Sequence, residues 1–153
     1  MRAIEFMGEG TPKPQPRPRA FSRGGMVRVY DPGTAEGWKN SIAIAAKQHV
    51  PAEPMEGALA LGLDFIMPRP KAHYLKSGLR ETAPYWHTKK PDADNLCKAV
   101  MDAMTTLGFW RDDSQVCDLK CRKIYERDRR VAGLALNLHQ MGEGLTLKQE
   151  GGR

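Results

Sequence analysis

Apolar and polar residues alternate most cleanly over residues 57–67, where Leu59, Leu61, Leu63, Phe65 and Met67 fall on one side. Ala58, Ala60, Gly62 and Asp64 fall on the other. A period of two held over that length predicts a strand with one buried face. Residues 3–7 alternate over a shorter stretch with Ile4 and Phe6 together, and residues 26–30 predict a further short strand. The period lengthens over residues 34–49, where Thr34 is placed to cap a helix whose stripe is Trp38, Ile42, Ala45 and His49. A second helix is expected from about Ala93 to Thr106, stopping at Gly108. Residues 114–125 predict a strand with Cys117, Leu119 and Cys121 inward and Asp118, Lys120 and Arg122 outward. Residues 131–139 predict another, with Leu134, Leu136 and Leu138 inward, and the charged, turn-rich link between the two implies an antiparallel pair.

The order is β-α-β-α-β-β, an α/β (α+β) arrangement in which helices cover a small mixed sheet. At 153 residues the chain has room for one domain, expected over 1–141, with a flexible tail at 142–153. Hydrophobic residues at 41% and charged residues at 27% suit a soluble globular protein rather than a disordered one. No apolar run reaches the roughly 18–20 residues that span a bilayer, and the first residues lack a signal-peptide core, so a cytoplasmic location is expected. Three cysteines, Cys97, Cys117 and Cys121, cannot all pair and form no C-x-x-C frame. They read as small apolar residues in a reducing compartment.

Charge sharpens the picture. Twenty-four Lys and Arg against eighteen Asp and Glu leave +6, which favours a polyanionic partner but also serves plain solubility. The distribution carries more information than the sum. Residues 10–30 hold Lys13, Arg17, Arg19, Arg23 and Arg28 with no acid, and Pro12, Pro14, Pro16 and Pro18 favour extended backbone there. Residues 68–91 hold Arg69, Lys71, Lys76, Arg80, Lys89 and Lys90 against Glu81, interleaved with His73, Tyr74, Tyr85, Trp86 and His87. Cations among aromatics are what a loop needs to hold a nucleic-acid backbone and stack on bases. Taken singly, each segment reads slightly better as a proline-rich linker or a mobile solvated loop. Lys13, Arg17, Arg19, Arg69, Lys71, His87, Lys89 and Lys90 are the candidate DNA contacts.

Between residues 92 and 113 the sign reverses, with five aspartates against Lys98 and Arg111. Projected at 100° per residue, Asp94, Asn95, Lys98, Asp102, Thr105 and Thr106 share about a 120° arc of the second helix. Leu96, Cys97, Ala99, Val100, Met101, Ala103, Met104 and Leu107 take the remainder. The ordinary explanation is a solvated face with i,i+4 ion pairs and Asp92 as N-cap. Two features of context argue for more. Lys89 and Lys90 lead the basic loop into the helix start, and Asp112-Asp113 follows where the chain turns back toward a strand. Three or four carboxylates would then converge. Such groups repel one another unless a divalent cation joins them, and oxygen ligands without His or Cys suit Mg²⁺, with Mn²⁺ as substitute. Lys98, one turn beyond Asp94, is placed to neutralise charge on a phosphoryl group or position water. Spacing alone does not choose between Asp112 and Asp113.

The run KKPDADNL with Lys98, then Asp102-Ala103, then FWRDDSQV closely resembles the RusA family of Holliday junction resolvases. The match is strong over about residues 85–125 and looser in the Pro/Arg-rich opening, the MPRPK strand end and the closing strands. The resemblance implies a homodimeric, Mg²⁺-dependent endonuclease that binds four-way DNA junctions by shape and places paired nicks, in recombination and repair. Carried over position by position, the family's essential acids fall on Asp92, Asp94 and Asp113, with Asp112 in support, and its catalytic lysine on Lys98. The longer basic N-terminal segment and the longer loop at 68–91 depart from the shortest members, so cleavage preference does not carry over. One acidic site per subunit of a two-fold dimer suits two symmetric cuts. The competing readings are a non-catalytic DNA-binding or architectural module of phage origin and a hydrolase of small phosphate esters. The last leaves both basic segments without a purpose.

Overall fold

Leu59, Leu61, Leu63, Phe65 and Met67, each at most 3% exposed, mark the centre of the molecule. They lie on the middle strand of a sheet whose elements this computed structural model describes over residues 2–30, 33–127 and 131–142. In chain order these are β1 (Ala3–Glu9), β2 (Arg19–Arg23), β3 (Met26–Tyr30), α1 (Glu36–Ala46), β4 (Leu59–Met67), β5 (Tyr74–Leu75), β6 (Gly78–Leu79), α2 (Ala93–Leu107), β7 (Val116–Tyr125) and β8 (Gly133–Gln140). The main sheet runs β1-β8-β4-β7, with β4 parallel to β7 and antiparallel to β8. The mixed, helix-covered sheet expected from the sequence is thus present, joined by two small hairpins, β2-β3 and β5-β6.

The last two strands are not neighbours, contrary to the expected antiparallel pair: β4 separates them. Burial explains the arrangement. β4 is the most apolar strand and takes the interior of the sheet, whereas β7 exposes Cys117, Leu119, Lys120 and Arg122 and takes an edge. α2 is then the crossover that joins two parallel strands. β8 approaches β1 so closely that a Cβ on Gly133 would lie 2.1 Å from the Gly8 carbonyl oxygen, which restricts that position to glycine.

Other boundaries shift for local reasons. Thr34 does not cap α1; Ala35 occupies the N-cap with no side-chain hydrogen bond, and the Gly33 carbonyl accepts from the Glu36 N–H at 3.2 Å. Trp38, Ile42 and Ala46 are the buried stripe, and α1 passes into a 3₁₀ turn, Lys47–His49, that stacks His49 on Phe6 at 5.5 Å. The prolines keep residues 12–18 free of regular structure, but residues 19–23 fold back on β3 to make a hairpin that the proline-rich reading misses. Its turn is Gly24-Gly25, with φ of 60° and 80°, a geometry in which glycine carries no steric cost.

The strand expected from residue 114 begins at Val116, because Asp113–Gln115 forms a 3₁₀ turn. A bulge between the Leu59–Val116 and Ala60–Asp118 pairs leaves Cys117 unpaired and exposed rather than inward. Leu119 sits on the helix side of the sheet yet is 44% exposed, because α2 does not reach across it. α2 ends as expected, with Gly108 at φ 88° closing the last turn. Its buried residues are Leu96, Cys97, Ala99, Val100, Ala103 and Met104, the apolar arc of the helical projection. Among the described residues no helix is long and apolar enough to cross a membrane. Of the expected tail, residues 143–153 lie outside the described residues.

Candidate active site

The polar face of α2, the turn before β7 and the uncovered part of β7 enclose an open cavity of about 500 Å³. Its lining includes Asp94, Lys98 and Asp113, together with Cys97, Met101, Leu119 and Cys121. The gap left over Leu119 is therefore where two of the expected carboxylates and the expected lysine meet.

Asp113 owes its position to the core. Its Oδ1 accepts from the indole Nε1–H of Trp110 at 3.0 Å and from the hydroxyl of Thr105. Trp110 is 1% exposed, and its Nε1–H also points to the Thr105 oxygen at 2.7 Å. One carboxylate oxygen is thus held from the protein side. Asp94 lies in the first turn of α2, exposed, where its Oδ1 accepts the Asn95 N–H at 2.9 Å and its charge is favourable at the helix N-terminus. Lys98 pairs with Asp102 at 3.8 Å across an exposed helix face.

Asp112 has different work. Its carboxylate accepts the Ser114 N–H at 2.8 Å, while Gln115 Oε1 accepts the Asp112 N–H at 3.2 Å and the Arg111 N–H at 2.8 Å. The hydrogen bonds from Ser114 hold the Asp112 carboxyl below its ordinary value. The Gln115 amide also donates to the carbonyls of Met55 at 2.9 Å and Gly57 at 3.1 Å. Asp112 therefore caps the turn that presents Asp113, and it does not line the cavity with Asp94. The spacing D-x-x-Q is a capping-box signal in the sequence.

Asp92 stands at the N-cap of α2 with no side-chain cap bond. It borders a neighbouring cavity of about 630 Å³ lined also by Lys13, Arg17, Lys90, Pro91 and Asn95. Two carboxylates thus share the first cavity and a third borders the second, so the expected convergence of three or four does not appear. Among the described residues no three His, Cys, Asp or Glu side chains cluster as a metal-holding group.

The basic residues divide. Lys13 and Arg17 reach the acidic helix because the Gln15 N–H donates to the Asn95 carbonyl at 3.0 Å, docking the proline-rich segment on the first turn of α2. Lys123 does the same for the loop before α2: its ammonium donates to the carbonyls of Lys89 and Pro91, both at 2.7 Å. No periodicity in the sequence marks Lys123 for that role. Lys71, Lys89 and Lys90 are exposed. Arg19 lies on the β2-β3 hairpin, whose register sets Arg19, Arg23 and Arg28 on one face with Phe21.

Arg69 corrects its expected place among the DNA contacts, being buried at 8% exposure. Its guanidinium donates to the Glu126 carbonyl at 2.9 Å and the Pro84 carbonyl at 2.7 Å, approaches His73 Nδ1 at 3.3 Å and lies over the Tyr125 ring at 4.9 Å. It ties residues 69, 73 and 84 of the basic loop to the end of β7. His87, half-buried, packs its ring on Tyr125 at 4.8 Å, and among the described residues its Nδ1 has no hydrogen-bond partner. Burial, then the charges of Lys123 and Lys89, push its pKa below the usual histidine value. A half-buried ring that braces the loop against Tyr125 is a poor phosphate contact.

Comparison with known proteins identifies the family. The family model for the RusA endodeoxyribonucleases matches residues 9–132. The chain belongs to that family. An uncharacterized protein of Bacillus subtilis (strain 168), YqaN, is 37% identical over 134 residues, covering 86% of this chain and 94% of its own length. The crossover junction endodeoxyribonuclease of Lactococcus phage r1t is 41% identical over 46 residues, 30% of this chain and 35% of its length. That of Escherichia coli (strain K12) is 50% identical over 36 residues, 24% of this chain and 30% of its length. The likeness to the two endonucleases thus covers about a third of each.

Proposed function

We propose that this protein is a magnesium-dependent endonuclease that resolves four-way DNA junctions by paired nicks in recombination and repair, acting as a homodimer. The observation that carries the reading is the meeting of Asp94, Lys98 and Asp113 on one open cavity beside basic segments docked to the same helix. The donor chemistry fits a hard cation. Asp94 and Asp113 face the cavity, one oxygen of Asp113 is fixed by Trp110 and Thr105, and the Asp92 carboxylate is not spent on capping α2. Asp94 and Asp113, which share the cavity, would hold Mg²⁺, and Asp92, on the adjoining cavity, is the third acid that the family resemblance implies. Bound there, the ion supplies Lewis-acid polarisation of a phosphoryl oxygen and a water of lowered pKa.

The chain's own groups do the rest. Lys98, exposed and paired with Asp102 at the surface, can turn its ammonium toward a scissile phosphate and offset the charge that develops there. Trp110 and Thr105 keep Asp113 from drifting, and Lys123 fixes the loop that ends at Asp92. Lys13, Arg17 and Lys90 line the adjoining cavity where the flanking backbone of the substrate would pass, with the exposed Lys89 next in the chain, and the arginine face of the β2-β3 hairpin would offer further phosphate contacts. Two such sites related by a two-fold axis would cut two strands of like polarity.

The test is to incubate a synthetic mobile four-way junction with the protein and Mg²⁺, and to map nicks on each strand. Symmetric paired nicks that vanish with a chelator are expected. Junction binding with no cleavage in either Mg²⁺ or Mn²⁺ would replace this reading by a non-catalytic DNA-binding module.

A further inference from the structure

Two thiols stand on the same cavity as the acids. Cys97, in the second turn of α2, and Cys121, on β7, both line it beside Asp94, Lys98 and Asp113. The two side chains interact directly, each being the strongest influence on the other's proton. Hydrolysis of a phosphodiester by oxygen ligands uses neither sulfur. Cys97 is 5% exposed and Cys121 is half-buried, so of the two sulfurs on the cavity Cys121 is the more open to a small solute. Cys117, exposed on the bulge of β7, lies outside the cavity.

We propose that Cys97 and Cys121 form a peroxide-sensitive dithiol that closes into an intramolecular disulfide and switches off the adjoining hydrolytic site. The second half of this statement rests on the function proposed above; the first does not. The Cys121 sulfur attacks one oxygen of a peroxide, the O–O bond breaks, and the other oxygen leaves as water, so that Cys121 becomes a sulfenic acid. The Cys97 sulfur then attacks the Cys121 sulfur, the S–O bond breaks, and a second water leaves. Two thiols give up two electrons and two protons, and the peroxide is reduced to water. The order follows exposure, since the half-buried Cys121 is the sulfur open to the cavity and the buried Cys97 is left to resolve the sulfenic acid.

Closure has a mechanical consequence. A covalent S–S bond is shorter than any contact between two thiols, so forming it draws the start of α2 against β7. Asp94 and Lys98 flank Cys97 on that helix, and a displacement near 1 Å at reacting groups costs on the order of 100-fold in rate.

The reduced full chain is treated with hydrogen peroxide, free thiols are blocked, and peptides are mapped alongside junction nicking. The wild type and Cys117→Ser are expected to gain an internal Cys97–Cys121 disulfide, to lose nicking by at least roughly 10-fold, and to regain it with dithiothreitol. Cys97→Ser and Cys121→Ser are expected to keep, under peroxide, whatever nicking each shows untreated. Free Cys97 and Cys121 after peroxide, linkage only through Cys117 between molecules, or an internal disulfide with undiminished nicking would each overturn the proposal. If the reduced wild type nicks no junction, the function proposed above fails, while the thiol map still decides whether the disulfide forms.

Discussion

Asp113 and Arg28 sit at opposite ends of a scale of confinement. Asp113 receives hydrogen bonds from Trp110 and Thr105, and the turn that carries it is capped by Asp112 and bolted by Gln115 to the carbonyls of Met55 and Gly57. Arg28 lies on a hairpin whose β2 strand is exposed at every residue and whose two strands pair with each other in a sheet of their own. Groups meant to meet reacting atoms gain from being fixed to a core, since small misplacements are costly. Groups that meet a polyanion gain from reach, because phosphate attraction is long-ranged and tolerant of geometry.

This contrast can be broken by experiment, beginning with the largest effect. Asp94→Asn and Asp113→Asn should each lower nicking by about 10²-fold or more while leaving junction affinity within a few-fold, as read by cleavage and gel shift. Loss of binding in step with cleavage would place these acids in recognition instead. Replacing Arg19, Arg23 and Arg28 together by Ala should do the reverse. Affinity should fall, and the slope of log affinity against log salt should flatten by about 2.7, with thermal stability unchanged.

Trp110→Phe keeps most of the buried ring but removes the N–H from Asp113. Nicking should drop on the order of 10-fold, stability by roughly 1–3 kcal/mol in urea unfolding, and DNA affinity not at all. An unchanged rate would mean that Asp113 needs no bracing. Arg69→Ala tests the cation that lies on the wrong side of the comparison. It should cost roughly 2–3 kcal/mol of stability, and the salt slope of the folded variant should match the wild type. A flattened slope would return Arg69 to the DNA surface.

The smallest effect concerns His87. Its pKa is lowered on folding, so the unfolded chain binds more protons in the window just below the ordinary histidine value of about 6.5. Stability therefore falls as the pH drops through that value and levels off only below the folded pKa. Protonation meets Lys89 and Lys123 nearby and the Tyr125 ring beneath, with no carboxylate among the causes of the shift to offset it. His87→Phe should flatten the fall in Tm between pH 7 and pH 5.5, whereas an unaltered profile would assign the acid sensitivity elsewhere.

Much of the architecture was legible in the chain, because burial on one face leaves a period. The strand at 57–67, the arc of α2 and the leucines of β8 came through for that reason. The acidic constellation was legible too, as a run of residue types at fixed spacing. What spacing could not convey was which element each residue borrows for support. Cys117 was misplaced because one bulged residue resets the phase of a strand. Arg69 was misplaced because a charged residue in a basic loop looks the same whether it faces solvent or the Tyr125 ring. Lys123 was missed because its partners, the carbonyls of Lys89 and Pro91, are backbone atoms that leave no mark on the side-chain pattern.

The sequence by itself determined the strands of the main sheet, the two helices and the inventory of acids and cations, since each depends on neighbours a few residues away, but not the β2 or β5-β6 strands of the small hairpins. Only the tertiary structure decided that β4 would lie between β7 and β8, that Asp94 and Asp113 would share a cavity with Cys97 and Cys121 while Asp92 borders the next, and that Asp112 would be a cap. Those outcomes depend on how layers pack and where α2 stops short of covering β7. They are properties of distances between segments, which no local pattern of residues encodes.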